Sequence, residues 1–341
     1  MANIKDIAAQ CGLSISTVSK ALNHYSDVSE ATREKVRKVA DAAGYFPNAN
    51  ARALKTNRTY NLGVLFVDDV QSGLKHNYFA AVLDSFKVEA EKHGYDITFI
   101  NHNIGVRQKT YLEHCRYRNV DGVCIACIDF LQPEITDLVN SDLPVVTIDH
   151  VFNDRISINS ENRAGMHDLV EYVYSMGHRK IAYVHGAKSS VTENRVTSFC
   201  KTLQDLKVAL PLDYLVDSNY QDPVSTRHAV EELLNRPNRP TCIFMPDDYA
   251  ALGGIEAIEM TGLKIPEDIS VVGYDGIAIA QLLRPRLTTL KQDTDKLGSE
   301  AAAKLIQLIE SPLTTLTEDV TVYGKLIKGE SVKEMVKHKA E

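Results

Sequence analysis

Apolar residues recur at helical spacing over the first sixty positions, then give way to short and nearly unbroken apolar runs. Ile4, Ile7, Ala8 and Cys11 fall on one face of a helix. Gly12-Leu13-Ser14 reads as a turn, with Ser14 as N-cap of a second helix over 15–22 whose Val18 and Leu22 point inward. Ile15, Ser16, Ser19 and Lys20 are then left outward. A third helix is predicted from Glu30 to Ala43, opened by Ser29 and stopped by Gly44, with Val36, Val39, Ala40 and Ala43 closing a small core. Two short helices joined by a three-residue glycine turn make a helix-turn-helix, whose second helix suits the major groove of DNA.

From Tyr60 the period changes. Strand runs are predicted at 62–67, 96–101, 120–127, 144–148, 180–184, 242–245, 269–273 and 287–291. Helical stretches fall between or after them at 79–92, 163–175, 226–234, 250–260 and 297–309. Strands alternating with helices build parallel sheets covered on both faces, and this many strands suit two lobes better than one sheet. The predicted fold class is an all-α helix-turn-helix head followed by α/β, as two doubly wound parallel-sheet lobes.

Charge sharpens this division. The chain carries -7 overall, yet residues 1–60 hold nine Lys/Arg against five Asp/Glu, and the remainder holds 29 against 40. A basic head on an acidic body fits a nucleic-acid-binding module joined to something else. No apolar run is long enough for a membrane helix, so no membrane partner is expected. The start, Met1-Ala-Asn-Ile-Lys-Asp6, lacks a basic region followed by an apolar core, and a cytoplasmic location is expected. Cys124-Ile-Ala-Cys127 is formally a CxxC, but it lies in a strand-like run where side chains three apart point oppositely, which argues against a metal.

The head closely resembles that of LacI/GalR regulators in Ile4-Lys-Asp-Ile-Ala8, Gly12-Leu-Ser-Ile-Ser-Thr-Val-Ser-Lys-Ala-Leu-Asn23, Val28-Ser-Glu-Ala-Thr-Arg-Glu-Lys-Val36 and Gly44-Tyr-Phe-Pro-Asn-Ala-Asn-Ala-Arg-Ala-Leu54. The resemblance implies that Ile15, Ser16 and Lys20 read bases, while Thr17, Ser19 and Asn23 contact phosphates or the surround. Position 20 is more often Arg in that family. Lysine still donates to a guanine edge but lacks the planar two-pronged fork. Residues 48–57 correspond to the family's hinge helix, with Arg52 among the expected DNA contacts. Such a short segment without an apolar stripe is marginal as an isolated helix. Leu54 is then an apolar wedge for the minor groove.

In open parallel sheets, ligands bind beyond the carboxyl ends of the strands. Asp68-Asp69, Asp149, Asp247-Asp248, Asp275 and Gln292 follow such ends. For a single aspartate, capping a helix is the commoner role, but so many at strand ends together point to a ligand crevice. The body also resembles the periplasmic-binding-protein-like body of the same regulators, in Pro144-Val-Val-Thr-Ile-Asp149, Gly177-His-Arg-Lys-Ile-Ala182, Asp248-Tyr-Ala-Ala-Leu-Gly253 and Ile265-Pro-Glu-Asp-Ile-Ser-Val-Val-Gly-Tyr-Asp275. That resemblance puts Tyr78, Phe79, Asp149, Arg195, Tyr220, Asp247 and Asp275 on effector-pocket positions. The segment after Arg195 departs from the family pattern, with Ser198 in place of glycine, and the 68–77 loop is longer than usual. The expected division is a head at 1–46, a hinge at 47–59 and a body at 60–341. One lobe holds 60–159 and 291–320, the other 160–290 and 321–341.

Nothing in the motifs suggests an enzyme: there is no GxGxxG, GxxxxGK, HExxH or nucleophile elbow. No cofactor is expected, and His178 reads as structural. A transport receptor would share the body but would need a secretion signal in place of the head. The expected protein is a repressor of carbohydrate-utilisation genes. Its expected partners are pseudo-palindromic double-stranded operator DNA, a sugar or sugar-phosphate effector and a second copy of itself. A phosphoprotein corepressor, used by some members of the family, is a further partner the resemblance allows. Residues 332–341 carry no leucine heptads, so a dimer rather than a coiled-coil tetramer is expected.

Overall fold

The computed structural model describes residues 2–22, 25, 27–45, 58–67, 73–104 and 106–335. Asn23, Arg52, Leu54, Asp68 and Asp69 lie outside the described residues, as do most of the hinge segment and the last six positions. The chain divides into two compact units, residues 1–60 and 61–341.

The first unit is three helices, α1 (Ile4–Cys11), α2 (Ile15–Leu22) and α3 (Glu30–Ala42). Each has its own start signal. Asn3 and Asp6 form a capping box on α1, the Ser14 hydroxyl accepts from the Thr17 N–H at 3.0 Å, and Ser29 caps α3. Gly12 closes α1 at φ +63°, a left-handed conformation that allows a sharp turn into α2. Ile7, Val18 and Val36 are fully buried, with Ile4, Leu22 and Val39 packed around them. Lys35 donates to the Cys11 carbonyl at 2.9 Å, tying α3 to the end of α1.

The second unit begins with β1 (Asn61–Phe66), α4 (Asn77–Lys92), β2 (Asp96–Phe99) and a hairpin of β3 (Asn103–Ile104) and β4 (Arg107–Gln108). There follow α5 (Tyr111–Arg118), β5 (Gly122–Ala126), α6 (Pro133–Val139), β6 (Val145–Ile148) and β7 (Ile156–Ser160). The chain then crosses to a second lobe through α7 (Asn162–Ser175), β8 (Ile181–His185), α8 (Ser190–Asp205), β9 (Leu215–Asp217) and α9 (Pro223–Leu234). That lobe continues with β10 (Cys242–Phe244), α10 (Ala251–Met260), β11 (Ser270–Asp275), α11 (Ala278–Leu282) and β12 (Thr288–Lys291). The chain returns through α12 (Thr294–Glu310) and β13 (Asp319–Val322), and ends across the gap in β14 (Lys325–Ile327).

One sheet has the order β13-β7-β6-β5-β1-β2 and the other β14-β12-β11-β10-β8-β9. Every residue of β5 and β6 is buried, because a sheet covered by helices on both faces has no polar side to alternate with. All neighbouring strands in the two sheets run parallel except β12 and β14. The exception has a simple cause. The parallel strands run toward the gap between lobes, whereas β14 starts at the gap, with only two residues separating it from β13, and must run away from it.

One sequence expectation changes. Cys127 lies past the end of β5 at φ +51°, so the face alternation expected between Cys124 and Cys127 does not apply. Burial pushes the Cys124 thiol up to about 12. Helix α8 runs unbroken through Ser198, whose hydroxyl donates to the Arg163 carbonyl at 2.6 Å, so the missing glycine does not bend it. Among the described residues after Ile327 there is no further helix, and Val332 packs into the second lobe. His178 is buried, its ring nitrogens 2.9 Å from the Thr241 hydroxyl and 3.0 Å from the Lys333 carbonyl. Burial lowers its pKa. No helix among the described residues is long and apolar enough to cross a membrane.

Candidate functional site

The outward face of α2 carries an unusual mixture for solvent. Ile15 is 45% exposed, Ser16 is exposed beside it, and Lys20 is half-buried one turn further on. The Thr17 hydroxyl sits 2.8 Å from that of Ser14, which holds it at the helix start. Lys20 Nζ donates to the carboxylate of Asp27. An ion pair this exposed is worth little, about 0–1 kcal/mol, and DNA can displace it. An apolar side chain, two hydroxyls and an amine on one short helix form a set able to meet a thymine methyl, phosphates and a guanine edge.

In the second unit, the sequence-nominated residues converge where strands end between the lobes. Arg195, on the first turns of α8, is buried. Its Nε donates to Asn162 Oδ1 at 2.7 Å and its Nη1 to the Pro246 carbonyl at 3.3 Å. The guanidinium lies 3.5 Å above the Tyr274 ring, and Nη2 is 3.7 Å from Asp275 Oδ1. Asp275 ends β11 at φ +98° and accepts from Gln292 Nε2 at 2.7 Å. Gln292 Oε1 in turn faces the Tyr78 hydroxyl at 3.4 Å. Tyr78 therefore reaches from α4 of one lobe to the crossover into the other.

Asp149 follows β6 at φ +58° and accepts from the Ser160 N–H at 2.7 Å. Its carbonyl accepts from Ser190 Oγ at 2.9 Å, a hydrogen bond that joins the two lobes. Tyr220 shares a 2.8 Å hydrogen bond with the Thr192 hydroxyl and lies against Gly186, where an added Cβ would come within 2.3 Å of its ring. Phe79 is buried with Phe66, His76 and Tyr78 around it.

Asp247 behaves differently from the other acids. It is 1% exposed and accepts four N–H donors, those of Tyr249, Ala250, the Gln221 backbone and the Gln221 side chain. These bonds turn the chain into α10 and hold Gln221. Asp248 is likewise taken up by the Thr289 hydroxyl and the Ile277 N–H.

Crowding raises several pKa values here. Burial raises that of Asp149, against the pull of the Ser160 N–H and Arg195. Burial and the neighbouring Asp275 carboxylate raise Asp247 and Asp248. Burial, with Asp149 and Asp275, raises the Tyr78 phenol. Asn162, Thr192, Ser160, Ser190 and Gln221 complete this network, and sequence reasoning missed them. The signal for Asn162 would have been its place at a lobe crossover, immediately after β7 and its flanking Glu161.

The close approach at Gly186 is directly testable. Gly186→Ala should push the Tyr220 ring away and weaken ligand binding about tenfold, the loss of roughly one hydrogen bond or stacking contact. Operator binding without ligand should stay unchanged. Titration of the purified variant with a ligand active on the wild type measures this, and unaltered ligand affinity would remove Tyr220 from the pocket.

Comparison with known proteins adds an independent finding. The family description "Bacterial regulatory proteins, lacI family" matches residues 3–48, and "Periplasmic binding proteins and sugar binding domain of LacI family" matches residues 59–329. The chain is 32% identical to the HTH-type transcriptional repressor PurR of Vibrio vulnificus (strain CMCP6), covering 91% of this chain and 92% of that one. It is also 32% identical to the PurR of Edwardsiella ictaluri (strain 93-146), covering 97% of each. Among solved structures, the lac repressor dimer bound to operator and the anti-inducer ONPF aligns with a TM-score of 0.81 at 25% identity, over 97% of this chain and 99% of that one.

Proposed function

Because this chain belongs to the LacI family of bacterial regulatory proteins, we propose that it is a transcriptional repressor whose grip on a pseudo-palindromic operator is set by a neutral sugar held between its lobes. The single observation that carries the reading is the junction of Arg195, Asp275, Gln292 and Tyr78, which links both lobes through groups able to bond a hydroxylated ligand. A carboxylate accepts two hydroxyl donors and a guanidinium donates to ring oxygens, while aromatic faces cover sugar C–H surfaces.

Charge separates a sugar from a sugar phosphate. Asp149 and Asp275 share one guanidinium that already donates to Asn162 and the Pro246 carbonyl. A phosphate would add negative charge beside two carboxylates that already share this guanidinium, and burial already raises the pKa of Asp149, so a neutral ligand is favoured. A second reading rests on the aromatic rings of Tyr78, Phe79 and Tyr220, which would also suit a flat nitrogen heterocycle such as a nucleobase.

In this reading Ile15, Ser16 and Lys20 read bases, Thr17 and Ser19 meet the backbone, and residues 47–59 transmit the state of the lobes. The working unit is a homodimer. The groove of about 580 Å³ between α4 and edge strand β2, with half-exposed Phe99 and exposed Leu74, is a surface that pairing would cover.

The test is selection of bound sequences from random duplex DNA, followed by operator titration with neutral sugars, sugar phosphates and nucleobases. A two-fold symmetric consensus is expected, with affinity falling steeply as salt rises and shifting with a neutral sugar. Linkage requires operator to change ligand affinity by the same factor. Recovery of no enriched sequence would overturn the DNA-binding reading, and a response confined to phosphorylated sugars would overturn the neutral ligand.

A further inference from the structure

Tyr183 stands out among the buried groups that the network above does not use. It lies on β8 with no exposure at all, and among the described residues its hydroxyl has no hydrogen-bond partner. The ring is well packed, 5.2 Å from Phe199 and 6.3 Å from Phe244, so phenylalanine would fill the same space. Buried polar groups are nearly always bonded, and one left without a partner calls for a reason.

Its surroundings supply one. Phe199 lies one helical turn beyond Arg195 on α8, and Gly186, against which Tyr220 rests, is three residues beyond Tyr183. Tyr183 packs in the same buried cluster as Tyr274, whose ring lies 3.5 Å under the Arg195 guanidinium, and Tyr220, Arg195 and Asp275 act electrostatically on its phenol. Tyr274 bonds Asn162, Tyr220 bonds Thr192 and Arg195 bonds Asn162, leaving Tyr183 as the member of this group without a partner.

We propose that the Tyr183 hydroxyl is a further effector-binding group, hydrogen-bonding a ligand hydroxyl or ring nitrogen at the inner end of the crevice. This rests on the reading that the crevice holds an effector. It makes Tyr183 a specificity determinant: a ligand that ends short of it leaves a polar group unmatched, and one that reaches it gains a bond.

The experiment compares wild type and Tyr183→Phe by thermal unfolding, with and without D-glucose, D-galactose, D-ribose, cellobiose and adenine. Without ligand, Tyr183→Phe should unfold no lower than wild type, because the hydroxyl it removes has no bond to lose. For a compound that stabilises wild type, the variant should bind about tenfold more weakly. One deoxy analogue of that compound should lose affinity for wild type yet bind both proteins alike, a pairing that a packing role would not produce. Equal affinity of both proteins for the parent compound overturns the proposal alone, as does a lower unfolding midpoint for the ligand-free variant. If no compound stabilises wild type, the effector reading falls and the proposal falls with it.

Discussion

Lys20→Ala should weaken binding to the selected operator by about 30- to 1,000-fold, while binding to random duplex changes only a few-fold. A good contact to a base edge is worth about 1–3 kcal/mol, and a single ammonium without the guanidinium fork belongs at the lower end. In a symmetric dimer the loss occurs in both half-sites, so roughly 2–4 kcal/mol disappears from the complex. The folded head should be unaffected, because the pairing of Lys20 with Asp27 is exposed and contributes little. Anisotropy titrations on operator and scrambled duplexes measure the two affinities at one salt concentration. Similar losses on both duplexes would make Lys20 a phosphate contact and remove its part in sequence reading. Lys20→Arg should restore operator affinity, with the preferred base at that position retained or sharpened.

The head was legible because its signals are local. Gly12, Ser14 and Ser29 stand at the turns and caps where the structure uses them, and Val18 and Val36 fall on the buried faces set by helical period. The central strands were legible for the opposite reason, since burial on both faces leaves runs such as Gly122–Ala126 almost wholly apolar. Edge strand β2 falls within the predicted run 96–101, but the late edge strands escaped notice. Asp319–Val322 and Lys325–Ile327 are mostly exposed or half-buried and too short to carry a pattern. Helix α8 was also not identified, although it carries Arg195, because its Ser, Thr and Asn residues dilute the apolar stripe of Phe199 and Leu203. Within the crevice, Asp275 and Asp149 follow from the rule that ligands gather past strand ends. Asn162, Thr192 and Gln221 do not, because they meet their partners across 33, 28 and 26 positions of sequence. Asp247 shows a second use of a strand-end carboxylate, which turns the chain through Tyr249 and Ala250 and holds Gln221.

Arg195→Met should abolish the response to effector and destabilise the second unit by about 3–5 kcal/mol, the usual consequence of leaving one partner of a buried charge pair behind. Methionine keeps much of the length and apolar volume, so the Tyr274 face stays covered while Asp275 and Asn162 lose their donor. The deficit should depend on pH in a defined direction. The Asp149 carboxyl is already raised by burial and is partly held down by Arg195. Without the guanidinium it rises further, so the folded state holds its proton more tightly than the unfolded chain. Stability then falls as pH climbs from the unfolded carboxyl value near 4 through the raised folded value. The variant should therefore lie closer to wild type at pH 5 than at pH 8, as read by urea unfolding followed by circular dichroism. The double variant Arg195→Met/Asp275→Asn should recover part of the loss, because two residues in one charge network do not add independently. An equal deficit at both pH values, or strict additivity of the two substitutions, would mean that Arg195 serves as packing and that the electrostatic junction between the lobes carries no signal.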